Sequence, residues 1–389
     1  MRSESNPMGS ANVFFASGSL NRSLKRGAEW LLRSWSSCGK HGSASFYSRI
    51  YHPLKGWDFP YPETTGYIIP TLLQYGAHYE PEYLAVAEAM AGWLIGLQEQ
   101  CGLFQAGVYR GVSGKPSVFN TAQIIFGLVA YYQHSKNLFY LEAAHKAAKW
   151  LAQVQETDGS WHSYAYHRNF SPSYYTRVAW PMLLVWQHTR DKMLYQKACK
   201  ALTLIGGRRN DNGTISGWGF RPDKPAFTHT IAYTIEGFLE SGLLLKEQGG
   251  EFWRIGEKAA LELLRKYEVR GRLAGAYDEQ WNGDFRFRCL TGNCQIALSW
   301  LRLYGISGDI RLLNSAIKMV HEVSRRQFRR RGSPNDGGVP GSWPVWGPYL
   351  TLRYPNWAVK FYMDLLMAAD EELKRLKTAS RSGGPKCEL

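Results

Sequence analysis

Two kinds of helical segment alternate along this chain, and they differ in how their apolar residues are distributed. Segments of the first kind are apolar on nearly every face and open on polar or proline residues: PETTGYIIPTLLQY, FNTAQIIFGLVAYY, YYTRVAWPMLLVW, THTIAYTIEGFLE, CLTGNCQIALSWLRLY and YPNWAVKFYMDLL. Segments of the second kind, such as NLFYLEAAHKAAKWLAQVQE, place apolar residues at i, i+3, i+4 and i+7 opposite a charged face. The pattern predicts helices covered on both sides alternating with helices that have one face in water.

The covered segments form a repeat. Aligned on a shared opening residue, they recur about every 54–64 residues, at Thr65, Thr121, Thr176, Thr230, Thr291 and Pro355. Six covered and six amphipathic helices in alternation predict an all-α (α/α)6 toroid, a double ring of twelve helices in a single domain. An open solenoid is the alternative, but it would end in polar capping repeats, whereas the last covered segment opens like its predecessors.

The regions outside the repeat are short. We expect residues 1–19 to form a flexible N-terminal segment, residues 20–376 the toroid, and residues 377–389 a disordered tail. No run of eighteen apolar residues occurs, which excludes a membrane-spanning helix. The first residues lack the apolar core of a secretory signal, so we expect a cytoplasmic protein, with secretion behind a missing leader as the alternative.

Charge and aromatic content indicate the kind of partner. The formal net charge is +15, which favours an anionic partner, and the 15 Trp and 23 Tyr exceed what a core alone needs. The six cysteines include no CxxC pair, so we predict reduced thiols, no metal site and no cofactor. The arginine cluster RRQFRRRG is interpreted as a solvated helix end, and no P-loop or GxGxxG motif indicates a nucleotide site. Nucleic acid is therefore disfavoured as a partner.

The polar openings of the covered segments are the first candidates for a functional site. In a toroid the inner helices run the same way, so their N-termini, with free N–H groups and positive dipole ends, converge on one face. The shared threonines are interpreted as helix caps. Around them we predict a single funnel lined by Glu63, Tyr67, Asn120, Gln123, Tyr174, Tyr175, Arg177, His229, Asn293, Tyr354, Asn356 and Trp357.

The long loops that lead into the covered segments supply a second set of candidates. Almost all of them combine Trp with Tyr or Phe and with Asp, His or Arg, and loops of this length in a compact domain are usually functional. Aromatic faces pack against the C–H faces of sugar rings, while nearby polar groups bind the hydroxyls. We expect the same cleft to include Trp57, Asp58, Trp161, His162, Tyr166, His167, Asp278, Trp281, Trp343 and Trp346.

Short motifs in these helices and loops resemble a known group of enzymes. The turn VQETDGSW, its variant LQEQCGLF, and the openings YPETTGYIIPTLL and YPNWAVKFYMDLL are similar to those of six-hairpin toroid carbohydrate-active enzymes. That group includes glycoside hydrolases, unsaturated-uronide hydrolases, toroidal polysaccharide lyases and the C-terminal domain of D-glucuronyl C5-epimerases. The resemblance is greatest to the epimerases and lyases and covers most of the chain. It implies that residues 20–376 are a catalytic domain acting on an acidic polysaccharide or oligosaccharide.

The first functional hypothesis is removal of the proton at C5 of a uronic acid, by a lyase or an epimerase. This chemistry needs a positive group beside the substrate carboxylate and side chains that accept and donate the proton. We expect Arg177 to hold the carboxylate. We expect His229, Tyr174 or Tyr175 to move the proton, with Tyr166 and His167 as further candidates for that role.

Two alternatives remain open. A glycoside hydrolase would use two carboxylates, here Glu63 or Asp58 with Asp278; Glu279 is a further candidate, and Glu236 is interpreted as structural because it lies a turn into its helix. The third hypothesis is a glycan-binding protein without catalysis. An ultraviolet-absorbing product indicates a lyase, deuterium uptake without cleavage an epimerase, and new reducing ends alone a hydrolase.

Overall fold

The computed structural model describes residues 17–111, 114–167 and 169–381. That part of the chain contains twelve α-helices: α1 Ser17–Ser37, α2 Pro62–His78, α3 Glu82–Gly96, α4 Val118–Ser135, α5 Leu138–Gln153, α6 Thr176–Thr189, α7 Lys192–Gly206, α8 Thr228–Leu245, α9 Gly250–Arg270, α10 Leu290–Ser307, α11 Ile310–Ser324 and α12 Asn356–Arg381. Helix thus covers residues 17–19 and 377–381, which the sequence assigned to the flanking segments. The remainder of those two segments lies outside the described residues.

The helices form two concentric rings. The even-numbered helices contact one another in order from α2 to α12, and α12 contacts α2, which closes the inner ring. Each odd-numbered helix packs on the outside of its inner neighbour. The closing contact includes a 2.6 Å hydrogen bond from the Thr71 hydroxyl of α2 to Asp364 Oδ1 of α12. The predicted all-α (α/α)6 toroid is confirmed.

The two apolar patterns account for the two rings. In the inner helix α4, every residue from Val118 to Val129 is buried, as expected for a helix covered on both sides. In the outer helix α11, buried positions such as Leu312, Ala316 and Val320 recur at helical spacing while the opposite face is in water. None of the helices in the described ranges has the length and apolar character needed to cross a bilayer.

Short antiparallel strand pairs lie at the end of the toroid where the inner helices begin. Among the described residues these strands are β1 Phe46–Tyr47, β2 Ala226–Phe227, β3 Ala276–Tyr277, β4 Arg288–Cys289, β5 Ser342–Trp343 and β6 Tyr354–Pro355. They pair as β1–β6, β2–β3 and β4–β5, and β2, β4 and β6 run directly into α8, α10 and α12. The strand pairs therefore fix the loops around the helix openings. Two-residue strands are too short to show an alternating pattern in the sequence.

Glycines allow neighbouring inner helices to approach closely. A Cβ atom at Gly66 of α2 would lie 2.5 Å from the Cα of Ile124 in α4, and one at Gly292 of α10 would lie 2.5 Å from the backbone nitrogen of His229 in α8. Both neighbours are backbone atoms, which cannot move aside as a flexible side chain can. These glycines thus set the spacing of the helices that carry the site.

We expect Gly66→Ala to lower the free energy of unfolding by about 1–3 kcal/mol, because the added methyl group forces α2 and α4 apart. The matched control is Gly92→Ala in the middle of α3, where an added Cβ would meet nothing within 4 Å. That control should gain about 0.5–1 kcal/mol from the higher helix propensity of alanine. Urea unfolding of both variants measures the difference; equal stabilities would contradict close packing at Gly66.

Candidate active site

A cleft of about 1360 Å³ opens at the end of the toroid where the inner helices begin. Nine of the residues predicted from the sequence line it: Glu63, Tyr67, Asn120, His162, Tyr166, His167, Tyr174, His229 and Trp357. They come from the openings of α2, α4, α8 and α12 and from the loop before α6. The helix openings do meet at a common cleft, as the ring geometry requires.

Glu63 is a carboxyl group in the first turn of α2 that faces this cleft. Its side chain accepts a 2.6 Å hydrogen bond from the hydroxyl of Tyr61, which is itself hydrogen-bonded to Asn120. Burial raises the pKa of Glu63 to about 7, against the opposing effects of the Tyr61 hydrogen bond and the charge of Arg177. The group therefore exists in both protonation states near neutral pH.

His229 is a buried imidazole in the first turn of α8. Its Nδ1 lies 2.6 Å from Oε1 of Gln295, and its ring packs against Tyr233 and Tyr349, with centroids 4.2 and 5.4 Å away. Burial lowers the pKa of His229 to about 3, and the charge of Arg177 acts in the same direction. His229 is therefore neutral at physiological pH and can accept a proton or a hydrogen bond.

Arg177, which was predicted to hold the substrate carboxylate, does not line the cleft. Its guanidinium lies 4.5 Å from the ring centroid of Tyr233 and forms a 2.5 Å ion pair with Glu236. Its Nε also donates to the side chain of Gln123, which was likewise predicted to bind substrate. Arg177 and Glu236 border a different cavity, of about 580 Å³, formed toward the C-terminal ends of the inner helices. Because the guanidinium of Arg177 is already paired with Glu236, it is not free to bind a substrate carboxylate.

Four aromatic residues predicted to line the cleft are part of the core instead: Trp57, Trp161, Tyr175 and Trp281. All four are buried. The indole N–H groups of Trp161 and Trp281 donate 2.9 Å hydrogen bonds to main-chain carbonyls, which buried tryptophans generally require. Trp57 packs against Trp30 and Tyr175 against Phe119. The aromatic residues of these loops hold the loops to the core.

Four polar candidates are also placed away from the cleft: Asp58, Asp278, Asn293 and Asn356. Asp58 accepts a hydrogen bond from the Ser45 hydroxyl and pairs with His52 at 3.0 Å. Asp278 accepts from the main-chain N–H groups of the turn that follows it. Asn356 donates to the Thr64 hydroxyl at 2.8 Å, and Asn293 donates to Glu322 at 3.5 Å. Each side chain makes contacts that stabilise local structure.

The last three aromatic candidates, Trp343, Trp346 and Tyr354, lie outside the lining of the cleft. Trp346 is 70% exposed. Trp343 stacks under the guanidinium of Arg326, and Tyr354 packs against Phe328. Trp343 and Tyr354 lie in strands β5 and β6, and Trp346 lies in the loop between them.

The sequence did not predict several residues that do line the cleft. Tyr61 and Tyr233 border Glu63 and His229, and the cationic side chains of Lys115, Arg221 and Arg353 also face the cavity. Tyr233 follows His229 by one helical turn, so helical spacing could have identified it. The three cations lie in loops, where the sequence carries no comparable signal.

Positive groups outnumber carboxylates around the cleft. Lys115, Arg221 and Arg353 line it, whereas the carboxylates in its described lining are Glu63 and Glu156. Nε of Arg353 is buried without a hydrogen-bond partner. In the described ranges, no group of three or more His, Cys, Asp or Glu side chains is arranged to hold a metal ion. The cleft is lined by positive groups and aromatic side chains, and it contains a carboxyl group and an imidazole with altered pKa values.

Comparison with known proteins gives matches among solved structures. No protein-family model matches the chain, and no curated protein matches it. An unsaturated glucuronyl hydrolase specific for heparin has a TM-score of 0.70 and 13% identity, covering 92% of this chain and 98% of that one. Cellobiose 2-epimerase from Bacillus thermoamylovorans has a TM-score of 0.69 and 13% identity, with coverages of 90% and 98%.

A third similar structure is an α-amylase from Clostridium perfringens. Its TM-score is 0.65 at 15% identity, and the match covers 89% of this chain and 97% of that one. Sequence identities this low show a shared fold. The similarity to six-hairpin toroid carbohydrate-active enzymes is therefore confirmed as a similarity of fold, over about nine-tenths of the chain.

Proposed function

We propose that this chain is a carbohydrate-active enzyme that moves the C5 proton of a uronic acid, as an epimerase or a lyase does. The observation that carries the proposal is Glu63, a buried carboxyl group in the cleft whose pKa is raised to about 7. A group with a pKa near the working pH is suited both to accept and to donate a proton. The similar solved structures include sugar-processing hydrolases and epimerases, which supports a sugar as substrate.

Proton transfer at a ring carbon is helped by groups on both sides of the sugar. Glu63 lies on α2 and His229 on α8, which are the first and fourth of six inner helices. In a closed ring of six, these positions are opposite each other. A sugar bound in the cleft would therefore have the carboxyl group on one side and the neutral imidazole on the other. This arrangement suits removal of a proton from one face and its return to the other.

The substrate carboxylate needs a positive group, and we assign that role to Arg353 with Arg221. The ion pair of Arg221 with Asp223 is exposed and therefore weak, so a substrate carboxylate can replace it. Both line the cleft, and Arg353 has a buried Nε without a partner in the protein. Its guanidinium stacks 3.8 Å from the ring centroid of Tyr51, which holds it in place. A fixed positive charge stabilises the negative charge that develops when the C5 proton leaves.

The test is incubation of the full chain with uronic-acid oligosaccharides in D2O. We expect either deuterium at C5 without cleavage, as from an epimerase, or an ultraviolet-absorbing product whose C4=C5 double bond leaves no hydrogen at C5, as from a lyase. That signal should be lost in Arg353→Met. Lys258→Met is a control at an exposed position of the outer helix α9, outside the lining of the cleft, and should retain activity. New reducing ends without deuterium or absorbance would contradict the proposal, as would the absence of any turnover across the panel.

A glycoside hydrolase is the second candidate. The raised pKa of Glu63 is what a general acid requires, and Glu156, a half-buried carboxylate at the rim, could provide the second carboxyl group. The same incubation distinguishes the two functions. A hydrolase releases reducing ends with neither deuterium at C5 nor ultraviolet absorbance, and Glu156→Gln would abolish that release.

A further inference from the structure

A continuous chain of buried hydrogen bonds connects the interior of the ring to His229. Oε1 of Gln123 accepts from Nε of Arg177 at 3.0 Å, and Nη1 of Arg177 donates to Oε2 of Glu236 at 2.5 Å. The same Oε2 accepts from Nε2 of Gln295 at 3.3 Å. Oε1 of Gln295 then lies 2.6 Å from Nδ1 of His229. The chain spans α4, α6, α8 and α10 and ends at the wall of the cleft.

Charge fixes the direction of every bond in this chain. A guanidinium can only donate, so Glu236 is held as the acceptor. A carboxylate bound to Arg177 also requires a donor from Gln295, which turns the amide nitrogen of Gln295 toward it. The amide oxygen of Gln295 is left facing His229, and an oxygen can only accept. Reversing the amide would place its oxygen against the carboxylate, with two acceptors in contact.

We propose that Gln295 and Glu236 are positioning residues that hold His229 in one tautomer, with its proton on Nδ1 and a free lone pair on Nε2. A neutral imidazole has a single N–H, so donation from Nδ1 leaves Nε2 as an acceptor. Because His229 lines the cleft and Gln295 engages Nδ1, Nε2 is the nitrogen available to a bound sugar. The tautomer thus presents the lone pair of Nε2 to a bound sugar, a role that rests on the function proposed above.

The tautomer can be measured without any substrate. In the full chain labelled with 15N-histidine, the His229 signals are assigned by their loss in His229→Gln. We expect the 15N chemical shift of Nε2 to be that of an unprotonated nitrogen and the shift of Nδ1 to be that of a protonated nitrogen. In Gln295→Met, which removes the acceptor at similar length, both tautomers should appear. Arg177→Met/Glu236→Met should give the same mixture, because it removes the charged pair that dictates which way Gln295 points, and it serves if Gln295→Met does not fold.

A second Gln–His pair provides the matched control. Gln133 and His188 are in contact at 3.0 Å between Nε2 atoms, on the exposed surface of α4 and α6. Gln133→Met should leave both the His229 signals and the activity unchanged. A wild-type His229 protonated on Nε2, or an unchanged tautomer in both Gln295→Met and Arg177→Met/Glu236→Met, would overturn the inference.

Activity provides the second measurement. On a substrate that the chain turns over, Gln295→Met should lower kcat by about two- to tenfold, because only the part of the population whose Nε2 is unprotonated remains active. KM should change little, since the side chain of Gln295 points at His229 and not at the sugar. A purely structural role would change stability without a mixed tautomer. If the tautomer behaves as expected but no uronic acid is turned over, the proposed function fails and the tautomer assignment stands.

Discussion

Glu63→Gln is expected to lower turnover by about 10²–10⁴-fold while preserving the helical circular dichroism signal. Glutamine has the same shape and still accepts the hydrogen bond from Tyr61, which joins Tyr61 and Glu63 at 2.6 Å. It cannot accept or release a proton. The loss would therefore report the chemistry of the carboxyl group and not the packing of α2. The control is Glu142→Gln on the exposed face of α5, which should retain full activity.

Glu63→Gln should also change how the free energy of unfolding depends on pH. The pKa of Glu63 sets the direction of that change. Folding raises this pKa from its usual 4.5 to about 7, so the folded chain binds the proton more tightly than the unfolded chain. The resulting stabilisation is complete below about pH 4.5 and is lost as the pH rises through 7, a change of about 3 kcal/mol. Glu63→Gln cannot ionise and should not show this loss.

Urea unfolding of wild type and variant at pH 5 and pH 8.5 measures that difference. The variant should gain stability relative to wild type between the two pH values. His229, whose pKa is lowered to about 3, contributes a slope of opposite sign between about pH 3 and 6.5, but it is common to both proteins. A variant with wild-type turnover, or with the same pH dependence of stability as wild type, would contradict the role of Glu63.

The ring could be predicted from the sequence because helices buried on both sides alternate with amphipathic ones, and because the last covered segment opens like its predecessors instead of as the polar cap of an open solenoid. The same reasoning placed Glu63 and His229 at the cleft, since both lie in the first turn of an inner helix and those turns converge. The placement of Glu63 and His229 depended only on the common direction of the inner helices, which the sequence repeat reveals. It did not depend on the conformation of any single side chain.

The placement of Arg177 could not be predicted in the same way. It also opens an inner helix, yet its long side chain extends to Glu236 on the next inner helix, 59 positions along the chain. Nothing local in the sequence indicates that pairing. Trp161 shows a second limit, because an aromatic residue in a loop has the same signature whether it binds a ligand or anchors the loop. Only the hydrogen bond from its indole to the carbonyl of Leu151 distinguishes the two.

Arg177→Met is expected to lower the free energy of unfolding by about 3–5 kcal/mol, because it leaves the carboxylate of Glu236 without its buried partner. The side chains of Arg177 and Glu236 are only 4% and 11% exposed, so water cannot replace the lost ion pair. The guanidinium also packs within 6 Å of the ring centroids of Phe126 and Tyr233, and methionine preserves part of that apolar contact. Urea unfolding gives the size of the effect.

The double variant Arg177→Met/Glu236→Met separates a structural ion pair from a substrate clamp. Replacing both members of a buried pair by apolar side chains of similar size is often neutral in stability, so most of the loss in the single variant should be recovered. Because the charge of Arg177 lowers the pKa of Glu63, the pH profile of any residual activity in either variant should move to higher pH. If the single variant instead kept its full stability and lost only substrate affinity, Arg177 would be a substrate ligand after all, and the ion pair with Glu236 would have to open when the sugar binds.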